Sequence, residues 1–84
     1  MSVEHKRREN EKKFGSWSEL STGGRHYFLE VPGLRGWTAR YVKEVDVDEQ
    51  TVKFFQEICD DKRQLVEIHE KYPVDKGHTT VKRG

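Results

Sequence analysis

The stretch "RHYFLEVPGLRGWTARYVKEV", residues 25–45, constrains this chain most, because two alternating runs flank a loop rich in proline and glycine. Side chains alternate across an extended strand, so Tyr27, Leu29 and Val31 share one face, while "PGLRG" supplies the backbone angles that a reversal needs. With Val31 opposite Trp37, Leu29 meets Ala39 and Tyr27 meets Tyr41, which gathers an apolar and aromatic set. His26, Phe28, Glu30, Thr38, Arg40 and Val42 then form the second face.

"DVDEQ" provides the next reversal. Pairing Val45 with Val52 sets Lys43 beside Phe54, Tyr41 beside Gln56, Ala39 beside Ile58, Glu44 beside Lys53, Arg40 beside Glu57 and Val42 beside Phe55. Two opposite-charge pairs support that register. Residues 51–72 admit two readings. Val52, Phe55, Ile58, Leu65, Ile68 and Tyr72 recur at helical spacings, yet "VKFFQEIC" and "LVEIHEKY" hold strand-forming residues around the polar turn "DDKR". The hairpin is the favoured reading. Matching Ile58 to Val66 puts Phe55 beside His69, Lys53 beside Lys71 and Glu57 against Glu67. Val66 and Ile68 then point to the core, and Glu67, His69 and Lys71 join the polar face of His26, Phe28 and Arg40. "SWSELS" and "HTTVKR" supply further short strands at the ends.

The expected fold is mainly β: a single antiparallel β-meander of four to six strands, strongly curled or barrel-like. Residues 1–15 form a basic flexible or short helical N-terminal arm, and residues 16–84 form one small β domain. The arm holds only Val3 and Phe14 as sizeable apolar side chains, too few for an apolar helix face. A chain of 84 residues buries only roughly 60% of its unfolded surface. With 32% hydrophobic and 37% charged residues the core is thin, and a homodimer is one way to cover apolar surface.

Lysine and arginine number 16 against 15 acidic residues, so attraction to nucleic acid must be local, as in "HKRRENEKK". Cys59 is the single cysteine, which excludes an internal disulfide and fits a reducing cytoplasm. No apolar run long enough for a membrane span or a secretory signal occurs, so a cytoplasmic protein without a membrane partner is expected.

Three chemistries can be read into the outward-facing residues. A sheet face mixing aromatics with cations stacks bases and neutralises phosphates, and His26, Phe28, Arg40, Lys53, Phe55, His69 and Lys71 have that character. A histidine beside a carboxylate serves acid and base catalysis, with Glu67 and His69 as the candidate pair. A metal would need three or four ligands, for which His69 and His78, with Glu67 or Asp75, are the candidates; the spacing matches no zinc signature, so no metal and no cofactor are expected.

"YFLEVPG", "GWTARYVKEVD", "QEICDD" and "LVEIHEKYPVDKGH" together resemble a family of small prokaryotic proteins known as a domain of unknown function. That resemblance implies no catalytic residue. More faintly, a β-rich chain ending in a histidine-bearing segment is similar to toxins of bacterial toxin and antitoxin pairs. The favoured reading is a non-enzymatic binding module that contacts nucleic acid or a protein partner through the polar and aromatic sheet face. The alternatives are a small hydrolase or ribonuclease using His69 and Glu67, and a structural dimerisation domain.

Overall fold

The computed structural model describes residues 2–75 and 77–81. A helix, α1 (Val3–Phe14), precedes six strands: β1 (Ser16–Glu19), β2 (Arg25–Pro32), β3 (Thr38–Val45), β4 (Thr51–Cys59), β5 (Leu65–Tyr72) and β6 (His78–Thr80). Each strand pairs antiparallel with the next, in the order β1-β2-β3-β4-β5-β6. The meander expected from the alternating runs is therefore present, and residues 51–72 form a hairpin rather than a helix. Closure into a barrel does not occur. β1 has four residues and β6 three, too short to pair along the eight- and nine-residue central strands, and the sheet keeps both edges.

The β2–β3 and β3–β4 registers differ from expectation, for local reasons. Gly33 donates its N–H to the Trp37 carbonyl at 2.7 Å, and Arg35 and Gly36 take positive φ, so residues 34–36 alone form the tip. Val31 consequently faces Ala39, Leu29 faces Tyr41 and Tyr27 faces Lys43. The slip is two residues, which preserves both faces. In the β3–β4 pair the expected partners hold from Ala39–Ile58 to Glu44–Lys53, but a bulge sets Val45 opposite Thr51 instead of Val52.

The β4–β5 pair carries the larger correction. Cys59 faces Leu65 as expected, and a bulge then inserts Val66, so Ile58 faces Glu67, Glu57 faces Ile68, Gln56 faces His69 and Phe55 faces Glu70. An odd-numbered shift moves side chains to the other face. Glu67 and His69 lie on the face of Tyr27 and Tyr41, and Ile68 lies on the face of Arg40.

The loops after β3 and β4 share one construction. Asp46 and Asp60 each accept two backbone N–H groups through Oδ1 at 2.9 Å, from Asp48 and Gln50 and from Lys62 and Gln64. The fourth loop residue, Glu49 or Arg63, then adopts φ near +60°. A left-handed non-glycine residue costs about 1–2 kcal/mol. Arg63 is exposed, and its ion pair with Glu30 spans 3.6 Å, too loose to offset that cost. Arg63→Gly is expected to raise stability by about 0.5–1 kcal/mol, read as a higher denaturant midpoint; a lower midpoint would contradict it.

Of the two forms expected for the N-terminal arm, the structure shows the helical one. Ser2 Oγ caps α1 by accepting the His5 N–H at 3.1 Å, and Gly15, at φ 84°, ends it. Its docking stripe is Val3, Arg7, Asn10 and Phe14, at helical spacing but half polar. Phe14 packs against Tyr27 and Phe54, with ring centroids 5.9 and 6.4 Å away, and forms the core with Tyr27 and Val45. No helix among the described residues is long and apolar enough to cross a membrane.

Candidate anion and ring-binding site

The helix covers only one end of its sheet face, and the junction it makes there holds the chemistry. β3 places Ala39, Tyr41, Lys43 and Val45 on that face, so a lysine stands where the pattern asks for an apolar residue. Lys43 Nζ donates to Asn10 Oδ1 at 3.1 Å. Burial, and then the charge of Lys13, hold its pKa below the ordinary lysine value. Lys13 therefore reaches the same place from the last turn of α1. Its ammonium stands 5.8 Å from the Phe14 ring centroid.

A third lysine arrives through a bulge. Phe54 faces Tyr72 while Phe55 faces Glu70, so Lys71 is the inserted residue. Its ammonium lies 5.4 Å from the Tyr41 ring centroid and 5.8 Å from that of Phe54, and Gln56 Nε2 fixes Tyr41 by donating to its hydroxyl at 3.1 Å. These groups border two open hollows, one of about 500 Å³ lined by Lys13, Phe14, Lys43, Gln50, Thr51, Phe54 and Tyr72, the other of about 240 Å³ lined by Lys13, Phe14, Leu29, Tyr41 and Phe54. Neither lining contains a carboxylate.

Glu49, whose charge acts on Lys43, is internally satisfied. The Glu49 side chain is fully buried, and its carboxylate accepts from Arg7 Nε at 3.2 Å, from Asn10 Nδ2 at 3.0 Å and from the Tyr27 hydroxyl. Burial, followed by the bond to Glu49, pushes the Tyr27 pKa up to about 12, so this hydroxyl remains a donor at neutral pH. Beside it, Arg25 is held between Glu11 at 2.6 Å and Glu19 at 2.9 Å, and the bond to Glu11 raises its pKa. The positive charge lining the larger hollow thus comes from Lys13 and Lys43, and Lys71 stands beside it over the Tyr41 and Phe54 rings, with Asp75 as a neighbouring charge.

The polar and aromatic face expected from sequence is real but smaller. It holds His26, Phe28, Arg40, Lys53 and Phe55, with the Arg40 guanidinium 4.8 Å from the Phe28 centroid and the Lys53 ammonium 5.3 Å from that of Phe55. Each cation there has acidic neighbours across the strands. His26 Nε2 lies 2.7 Å from Glu44, which also faces Lys53, and Arg40 stands between Glu30 and Glu57. The face is balanced within itself, which weakens any attraction for phosphate.

His69 and Lys71 do not belong to that face; the bulge at Val66 carries both to the lysine side. His69, with a side chain 16% exposed, meets Asp75 Oδ1 at 2.6 Å, and the Gly77 N–H followed by His69 holds the Asp75 pKa low. Asp75 is thus a carboxylate that pairs with His69. β6 sets the His78 backbone opposite His69, while the His78 side chain lies outside the described residues. Among the described residues no group of three His, Cys, Asp or Glu side chains gathers as a metal site.

Sequence reasoning missed Lys13, Lys43, Tyr41, Phe54 and Tyr72 as a site. A signal for part of it was present: Lys43 falls between Tyr41 and Val45 on the core-facing set. Comparison with family models finds no match, and searches of curated proteins and of solved structures find none either.

Proposed function

We propose that this chain is a non-enzymatic binding module for single-stranded nucleic acid, acting in the reducing cytoplasm where Cys59 stays a free thiol. The observation that carries the reading is that Lys13 and Lys43 line a hollow with Phe14, Phe54 and Tyr72 and no carboxylate, while Lys71 stands beside it over the Tyr41 and Phe54 rings. Lysines neutralise the phosphates and ring faces stack on bases, a combination tolerant of sequence. Double-stranded nucleic acid keeps its bases stacked inside and offers those rings little.

Tyr72 is the ring to test, since it is 46% exposed and its removal leaves the core of Phe14, Tyr27 and Val45 intact. A labelled oligonucleotide followed by fluorescence anisotropy at low salt is expected to bind, and Tyr72→Ala to weaken it by about tenfold, within the ~1–3 kcal/mol of one stacked base. Absence of salt-sensitive binding by the unaltered protein would overturn the proposal. The hydrolytic alternative using His69 predicts shortened oligonucleotide at the end of the titration, whereas the binding reading predicts it intact.

A further inference from the structure

We propose that the second sheet face, the one without the helix, is the interface of a symmetric dimer in which two copies of this chain stack as a sandwich. The argument rests on register and charge. Across β2, β3 and β4 this face carries a central apolar row, Phe28, Val42 and Phe55. One flanking row reads Glu30, Arg40, Glu57, and the other reads His26, Glu44, Lys53. Strand by strand, the signs are opposite: acid and histidine on β2, arginine and acid on β3, acid and lysine on β4.

A two-fold axis can lie in such an interface in two simple ways. An axis running along the apolar row, across the strands, places each strand over its own copy and exchanges the flanking rows. Glu30 then meets His26 of the partner subunit, Arg40 meets the partner's Glu44, and Glu57 meets the partner's Lys53, each contact repeated by symmetry. An axis running along β3 instead places β2 over the partner's β4, so Glu30 meets the partner's Glu57 and Arg40 the partner's Arg40, all like charges. The first arrangement is complementary at every charged position of the three strands, and the second at none. Two stacked sheets sit about 10 Å apart, a gap that facing glutamate, arginine and lysine side chains can span.

Independent features fit the same partner. Phe28 and Phe55 are half-buried beneath the Arg40 guanidinium and the Lys53 ammonium, and Val42 between them is 5% exposed, so a second copy would meet the charged rows flanking the rings rather than bare apolar surface. Arg40 Nε is buried without a hydrogen-bond partner, and the partner's Glu44 would supply an acceptor to that guanidinium. Glu70 opposes the arrangement, since it extends the central row on β5 and falls near its own copy. The helix and the lysine hollow lie on the far side, so the dimer would present two such sites facing away from each other.

The experiment is sedimentation equilibrium of the full chain over a dilution series, with circular dichroism to confirm folding. Unaltered protein is expected to dimerise, and Lys53→Glu and Glu57→Lys each to weaken the dimer by about tenfold or more, since each puts like charges at two symmetry-related positions. Mixing the two variants restores complementarity at both positions and is expected to recover the dimer, as is the double variant. A monomer at every concentration, or variants that fail to recover on mixing, would overturn the proposal. Oligonucleotide binding is read separately, so failure of either proposal leaves the other standing.

Discussion

Glu49→Ala is expected to lower the unfolding free energy by about 3–5 kcal/mol, enough to leave a domain of this size largely unfolded at moderate temperature. The Glu49 side chain is fully buried and collects Arg7, Asn10 and Tyr27 around one carboxylate. Truncation leaves the Tyr27 hydroxyl and the Asn10 amide without that acceptor in a place water does not reach, and the loss of a partner costs more than the bond itself was worth. It also removes the acceptor that Arg7 and Asn10 of the docking stripe share, leaving α1 held by Phe14, the Glu11–Arg25 ion pair and the Lys43 bond to Asn10. Glu49→Gln keeps the shape and one acceptor oxygen, so about half the loss is expected. Denaturant unfolding checks both. An alanine variant with an unchanged midpoint would show that the cluster is incidental to the fold.

Glu49 also shows what a sequence conveys and what it does not. "DVDEQ" and "DDKRQ" read as polar reversals, and their aspartates cap both loops in the same manner. Nothing in those five letters says that the fourth residue of the first loop turns inward while Arg63 of the second turns to water. That difference comes from α1, whose Arg7 and Asn10 arrive from a distance in sequence. The helix was hard to read for the same reason: its buried stripe is half polar, so apolar periodicity understates it.

Alternation fared well wherever a strand stayed regular, as in the β3–β4 pairing from Ala39 to Glu44. It failed at bulges, because one inserted residue leaves the local pattern of "LVEIHEKY" unchanged while reversing the faces beyond it. His69 and Lys71 were therefore correctly singled out as polar strand residues and wrongly grouped with Arg40 and Phe55. The lysine hollow depends on one of those bulges, which sends Lys71 and Tyr72 toward Phe54 together.

Removing Lys13 and Lys43 of that hollow together with Lys71 beside it should produce the largest change in ligand binding. Each phosphate neutralised on a single strand contributes about 0.7 to the slope of log affinity against log salt, so Lys13→Ala, Lys43→Met and Lys71→Ala combined are expected to reduce it by about 2. At low salt the affinity of the triple variant should fall by about a hundredfold or more. Lys62→Ala, exposed in the loop after β4, serves as the control and should change neither quantity by much. Lys43→Met distinguishes binding from folding most sharply. Burial and the nearby Lys13 disfavour the Lys43 ammonium in the folded state, while its bond to the buried Asn10 Oδ1 and the charge of Glu49 act the other way, so an apolar side chain of similar length should change stability by no more than about 1 kcal/mol while binding weakens. A cation kept on a core-facing position makes sense if an anion is to meet it there. If Lys43→Met left both slope and affinity intact, the hollow would be a packing defect of a small domain rather than its working site.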